Sequence, residues 1–212
     1  MESLFSDIEM VTPLPKKNLD WSGNVQSQQA TMGVKLNWKR DYLSQRKDFY
    51  ATEPKAAKLL LKLTKFSNIW ECACGAGHLA EVFDAAGLLA RISDIEDYGI
   101  GAEIIDFLRY DGKWAGDIIT NPPYKFSTKF AYKAMSILEA GRKLAMFLPQ
   151  RYLSGKERRK LFEAYPPYKI WASSGRMECG MNGVFKGSSA VDYCWFVWVK
   201  GYDGETKLGW FN

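Results

Sequence analysis

From Arg46 onward, short apolar runs alternate with amphipathic stretches, the pattern of β-α units around a mostly parallel sheet. Strands are predicted over Ile69 to Cys72, Ala90 to Ser93 ending at Asp94, Ile104 to Ile105 before Asp106, and Asp117 to Thr120. Three more follow over Lys143 to Leu148, Tyr168 to Ser173 and Tyr193 to Lys200. Helices are predicted from Pro54 to Lys65, His78 to Ala86, Ser127 to Glu139 and Gly155 to Ala164; Pro54 suits a first turn, where its missing N–H costs nothing. The last strand, rich in Trp, Phe and Val, is expected to pair antiparallel with its predecessor across a long glycine-rich loop. The expected fold is a doubly wound α/β sheet of seven strands, which binds ligands beyond the carboxyl ends of its strands.

The first 45 residues break this pattern. Pro13, Pro15, Gly23, Gly33 and the run Gln26-Ser27-Gln28-Gln29 interrupt any helical or strand period, so 1–45 is expected to be a polar arm and 46–212 the folded domain. At 212 residues and 47% hydrophobic content, one sizeable core is expected, with no separate recognition domain. No apolar run reaches a membrane span and the first residues lack the features of a secretory signal, so a cytoplasmic protein is expected. Four cysteines, 72, 74, 179 and 194, with no Cys-x-x-Cys pair and one histidine, His78, point to buried thiols rather than a disulfide scaffold or a metal site. A net charge of +5 is a modest bias towards a polyanionic partner.

Two segments carry chemistry. Glu71-Cys72-Ala73-Cys74-Gly75-Ala76-Gly77-His78 joins a strand to a helix, where glycines let a ligand approach the backbone closely. Asp94, followed by Ile95, ends the next strand about 20 residues on, the place for a carboxylate that accepts ribose hydroxyls. Ala80 stands where the third glycine of a dinucleotide fingerprint would fall, which argues against NAD. Glu71 ends a buried strand, a costly place for a carboxylate that a cationic ligand group would relieve. Asp106-Phe107 offers an acceptor and an aromatic wall suited to an adenine ring.

Asn121-Pro122-Pro123-Tyr124 follows the apolar strand 117–120 directly. An exocyclic amine on an aromatic ring is a poor nucleophile, so a site that uses one must accept hydrogen bonds from it as charge develops. Asn121 offers a side-chain oxygen and Pro122 a carbonyl. Two prolines fix φ and remove competing donors. Tyr124 is placed to stack on a base drawn from its helix.

Between Lys47 and Lys200 the chain resembles the class I S-adenosylmethionine-dependent methyltransferases, and within them the adenine-N6 DNA methyltransferases of phage and restriction-modification type that carry Asn-Pro-Pro-Tyr. The resemblance implies a Rossmann-like methyltransferase sheet with S-adenosylmethionine as cofactor and DNA as partner. It implies that Tyr50 and Thr52, in Phe49-Tyr50-Ala51-Thr52-Glu53-Pro54, help hold the methionine moiety with Glu71, Ala73, Gly75 and Gly77. Asp94 would then serve the ribose and Asp106 and Phe107 the adenine, with Ile95 and Asn121 also in the cofactor site, and Asn121, Pro122, Pro123 and Tyr124 would carry the reaction. Cys72 replaces the proline frequent in the family's glycine motif, and no target-recognition domain is evident, so sequence selection is expected to be short, relaxed, or delegated to the arm and the Gly175 to Ser189 loop.

Basic residues gather nearby: Lys39, Arg40, Arg46 and Lys47 before the core, Lys125 and Lys129 beside the motif, then Arg151, Lys156, Arg158, Arg159 and Lys160. They suit a phosphate track, and the 156–160 run equally suits a solvated helix face. RNA base methylation, glutamine methylation in release factors and a non-enzymatic nucleic-acid-binding module are the alternatives. No proline-cysteine turn exists for cytosine C5 chemistry.

Overall fold

The computed structural model describes residues 50–175, 177, 179–181 and 191–211. The expected arm, the basic residues Lys39, Arg40, Arg46 and Lys47, and the Asn182 to Ser189 stretch of the glycine-rich loop lie outside the described residues.

An eight-stranded sheet forms the frame. Its strands are β2 (Ile69–Glu71), β3 (Leu89–Asp94), β4 (Glu103–Ile104), β5 (Ile118–Thr120), β6 (Lys143–Pro149), β7 (Lys169–Ser173), β9 (Tyr193–Val199) and β10 (Lys207–Phe211), ordered β10-β7-β9-β6-β5-β2-β3-β4. All neighbours are parallel except β9, which runs antiparallel to both β6 and β7. The expected doubly wound α/β architecture therefore holds, with one strand more than the apolar runs suggested. That strand, β10, pairs parallel with β7, so the antiparallel strand is the last but one. Its pattern hides it: Lys207, Leu208 and Trp210 are exposed, and Gly209 interrupts the apolar sequence. Glycine is needed there, because a Cβ at 209 would come within 2.5 Å of the Trp171 ring on β7.

Helices α1 (Pro54–Leu63), α2 (His78–Ala85), α3 (Ser127–Ile137) and α4 (Lys156–Ala164) cover the two faces. The central strands are buried on both sides and so read as unbroken apolar runs. Along β6, Leu144, Met146 and Leu148 pack with α3 residues such as Phe130 and Met135, whereas Ala145 and Phe147 pack with Leu60 of α1 and Phe83 of α2. Buried indole N–H groups find acceptors: Trp70 donates to Ser93 Oγ at 2.9 Å, Trp195 to Ala56 O at 3.1 Å and Trp198 to Tyr165 O at 3.0 Å.

Asp117, 1% exposed, sits at the start of β5 and ties three strands together. Its Oδ2 accepts the Ser67 N–H ahead of β2 at 2.8 Å and its Oδ1 the Lys143 N–H of β6 at 2.7 Å. The sheet order reverses between β2 and β5, because the chain leaves β2 towards β3 and leaves β5 towards β6. A crevice for ligands forms at the carboxyl ends of strands flanking such a point. A second, two-stranded antiparallel ribbon pairs β1 (Tyr50–Thr52) with β8 (Cys179–Met181). No helix among the described residues is long and apolar enough to cross a membrane.

Candidate active site

Glu71 and Asn121 lie at the carboxyl ends of β2 and β5, on either side of the switch point. Glu71 is 2% exposed, and among the described residues no donor reaches its Oε2. Burial first, then the neighbouring Asp94 carboxylate, push its carboxyl well above the usual carboxylate range; the Ala80 backbone N–H in the first turn of α2 acts the other way. A carboxyl so placed is poised to gain from a positive charge beside it.

The loop from Cys74 to Gly77 turns through left-handed conformations, with φ +51° at Gly75 and +87° at Gly77. A Cβ at Gly77 would also press on Ile100, 3.2 Å away. Asp94 holds this loop: its Oδ2 accepts the Gly75 N–H at 2.8 Å and its Oδ1 the Glu96 N–H at 3.1 Å. The carboxylate expected to serve a ribose thus already organises the backbone around it, and a ligand would use its remaining lone pairs. Cys72 and Cys74 are both buried, and desolvation raises both thiols, Cys74 to about 12. Ile95 is 61% exposed next to Asp94, an apolar surface open to a flat ligand ring.

Asp106 caps the short 3₁₀ turn Phe107–Arg109 by accepting the Leu108 N–H at 3.0 Å, and pairs with Arg109 at 3.3 Å. The Phe107 ring is no open wall. It is 2% exposed, stacks on Phe130 and meets Trp70 edge-on, so it belongs to the core and leaves only its backbone to a ligand.

After β5, Pro122 is buried and Pro123 exposed. Pro123 gives its carbonyl to the Phe126 N–H at 2.8 Å, which folds the 3₁₀ turn Tyr124–Phe126 into the start of α3. Asn121 and Tyr124 both turn towards β8: Asn121 Nδ2 donates to Cys179 Sγ at 3.7 Å and the Tyr124 hydroxyl to the same sulfur at 3.3 Å. Burial, then Cys179, raise the Tyr124 hydroxyl well above its ordinary value. Its ring lies 6.3 Å from that of Tyr193 on β9. Thr52, 2% exposed on β1, faces the same group.

Cys179 and Tyr193 were not legible as site residues, since Cys179 meets Asn121 and Tyr124 across 58 and 55 positions and Tyr193 is as remote, which leaves no local signal. The basic residues divide. Thr128 Oγ1 and Tyr152 OH meet at 3.1 Å, which joins the start of α3, with Lys125 and Lys129, to the turn that holds Arg151. Arg158 lies over the Tyr152 ring at 5.2 Å. Lys156 is exposed at the start of α4, whereas Arg159 pairs with Glu163 at 2.7 Å and Lys160 with Glu157 at 2.9 Å on the same helix.

No family model and no curated protein matches the sequence. Solved structures do match in fold. A Listeria monocytogenes chain described as a class I S-adenosylmethionine-dependent methyltransferase is 15% identical, with a TM-score of 0.53 over 74% of this chain and 62% of its own. A Thermotoga maritima S-adenosylmethionine-dependent O-methyltransferase is 13% identical, with a TM-score of 0.51 over 78% and 72%. A Vibrio vulnificus chain described as the modification subunit of a type I restriction enzyme is 15% identical, with a TM-score of 0.51 over 87% of this chain and 51% of its own. This chain therefore spans less than two thirds of the Listeria protein and about half of the Vibrio subunit. With its sheet order, switch point and glycine loop, the chain has the fold of the class I S-adenosylmethionine-dependent methyltransferases.

Proposed function

We propose that this chain transfers the methyl group of S-adenosylmethionine to the exocyclic N6 amine of adenine in DNA, as a site-specific DNA methyltransferase. The observation that carries the reading is the Asn121-Pro122-Pro123-Tyr124 segment at the end of β5, next to the buried Glu71 whose Oε2 has no donor among the described residues. The residues fit the cofactor. Glu71 suits the cationic methionine end, the Gly75–Gly77 backbone allows close approach, Asp94 has acceptor capacity for a ribose, and Ile95 and Asp106 suit the adenine. Thr52 on β1 stands opposite Cys179, and Tyr50 lies two residues before it on the same strand.

When bound, S-adenosylmethionine supplies a methyl group on a positively charged sulfur, already activated for transfer. The protein's work is on the amine. Asn121 Oδ1 and the Pro122 carbonyl accept the two amine hydrogens, so that positive charge on nitrogen meets fixed acceptors as it develops. The rigid prolines hold those acceptors in place, and Tyr124 gives an extruded base a ring to stack on. Lys125, Lys129, Arg151, Lys156 and Arg158 follow the carboxyl ends of β5 and β6 in the chain and suit phosphate contacts. Residues 1–45 and the 175–189 loop are the segments through which a target sequence would be selected.

The test is methyl transfer from radiolabelled S-adenosylmethionine to unmethylated genomic DNA, bulk RNA and a release factor in parallel, followed by nucleoside analysis. N6-methyladenine in DNA is the expected product. Label confined to RNA or protein would move the substrate and overturn the DNA assignment.

A further inference from the structure

The β1–β8 ribbon sets Thr52 directly opposite Cys179. Cross-strand partners project from one face, so both side chains turn to the same place, and that place is the segment after β5. There one sulfur meets two side chains of that segment: the Tyr124 hydroxyl donates to it across 3.3 Å and Asn121 Nδ2 across 3.7 Å. Burial raises the thiol above its ordinary value. The sulfur is therefore neutral near pH 7 and works through its lone pairs, not as a nucleophilic thiolate.

A side-chain amide has two ends of nearly equal size, one a double donor and the other an acceptor. A target amine can be served only by the oxygen end. What decides which end faces the substrate is the partner that engages the other. A partner that only donates would draw the oxygen away from the substrate, whereas the sulfur's lone pairs, which accept here, hold Nδ2 and leave Oδ1 turned elsewhere.

We infer that Cys179 is a positioning residue, whose sulfur sets the orientation of the Asn121 amide and holds the Tyr124 ring for the transfer. The inference rests on the reading of Asn121 and Tyr124 as the catalytic face. The residue reaches this place from a three-residue strand late in the chain, so the ribbon β1–β8 is part of the catalytic architecture and not only a cover for it.

The experiment uses the full chain with Cys179→Ala, Cys179→Ser, Asn121→Ala and the double variant Asn121→Ala/Cys179→Ala. It measures kcat and KM for methyl transfer to unmethylated DNA, the Kd for S-adenosylmethionine by calorimetry, and a thermal melt for each. Cys179→Ala is expected to lower kcat about tenfold while Kd and KM stay within about twofold. Cys179→Ser, which keeps an acceptor of similar shape, is expected to recover kcat to within about threefold of wild type. In the Asn121→Ala background the loss of Cys179 is expected to cost less than in the wild-type background, since of the two groups it engages only Tyr124 remains. Wild-type kcat in Cys179→Ala, a serine variant no better than alanine, or independent effects in the double variant would overturn the inference while leaving the functional reading intact. A wild-type chain that methylates neither DNA, RNA nor release factor overturns the reading itself, and this inference with it.

Discussion

Asp94 Oδ2 accepts the Gly75 N–H across 2.8 Å, so the carboxylate that ends β3 fixes the loop that follows β2. One side chain therefore joins two parts of the site. Asp94→Ala is expected to weaken S-adenosylmethionine binding by about 10²-fold, through loss of both the ribose acceptor and the loop's shape. It is also expected to lower Tm by several degrees. Asp94→Asn, which keeps one acceptor oxygen, should fall between. Calorimetric titration and a thermal melt of each variant check this; a cofactor affinity unchanged in Asp94→Ala would remove the residue from the binding site.

Glu71 gives a pH signature with a definite sign. Its folded-state pKa lies above the ordinary carboxylate value, mainly through burial, so the ligand-free fold favours the protonated form. The stability this contributes is complete below the unfolded pKa and is lost as pH rises through the folded one. Glu71→Gln, neutral at every pH, is expected to raise the Tm of the ligand-free protein by a few degrees at pH 8 and little at pH 5. The same variant should lose most of its cofactor affinity. Melts at the two pH values, with and without S-adenosylmethionine, separate these effects.

Asn121→Ala is expected to leave cofactor Kd nearly unchanged while turnover falls by roughly 10²-fold or more, because the acceptor it removes acts in the transition state. Full activity of this variant on every substrate tested would displace Asn121 from the chemistry.

The basic residues make a graded prediction. Lys125→Ala and Arg151→Ala should each weaken DNA binding and reduce the slope of log affinity against log salt by about 1. Arg159→Ala should leave both unchanged, since that guanidinium already pairs with Glu163 on its own helix. Binding isotherms at three salt concentrations decide it.

Much of the frame was legible because its strands are apolar on both faces and its helices are amphipathic. Helices expected at 54–65, 78–86, 127–139 and 155–164 are found at 54–63, 78–85, 127–137 and 156–164. Glu71 and Asp94 were readable as candidates for the same reason, each being an acidic residue that closes an apolar strand. Phe107 was ambiguous, because sequence cannot say whether a ring after a strand turns to the ligand or to Trp70 and Phe130. Cys179 was invisible, because only tertiary folding carries β8 back to Asn121. The ion pair of Arg159 was foreseeable, since Glu163 stands four residues on, the spacing of a helical pair.

Gly209 offers a test of the sheet's outer edge. Gly209→Val is expected to cost about 1–3 kcal/mol through overpacking against Trp171. Hydrogen exchange should then quicken at the Trp210 and Phe211 amides, with methyl transfer unaffected. An unchanged melt would mean the Trp171 ring has room to move aside.

Asp117 binds the backbone ahead of β2 and at the start of β6, at the end of the sheet remote from Glu71 and Asn121. Alignment of the three central strands is therefore anchored at the end away from the candidate site. Loops at the opposite edge are then free to diverge in length and chemistry without disturbing how the strands meet. An evolving or engineered descendant could exchange its target at one end while inheriting its frame from the other.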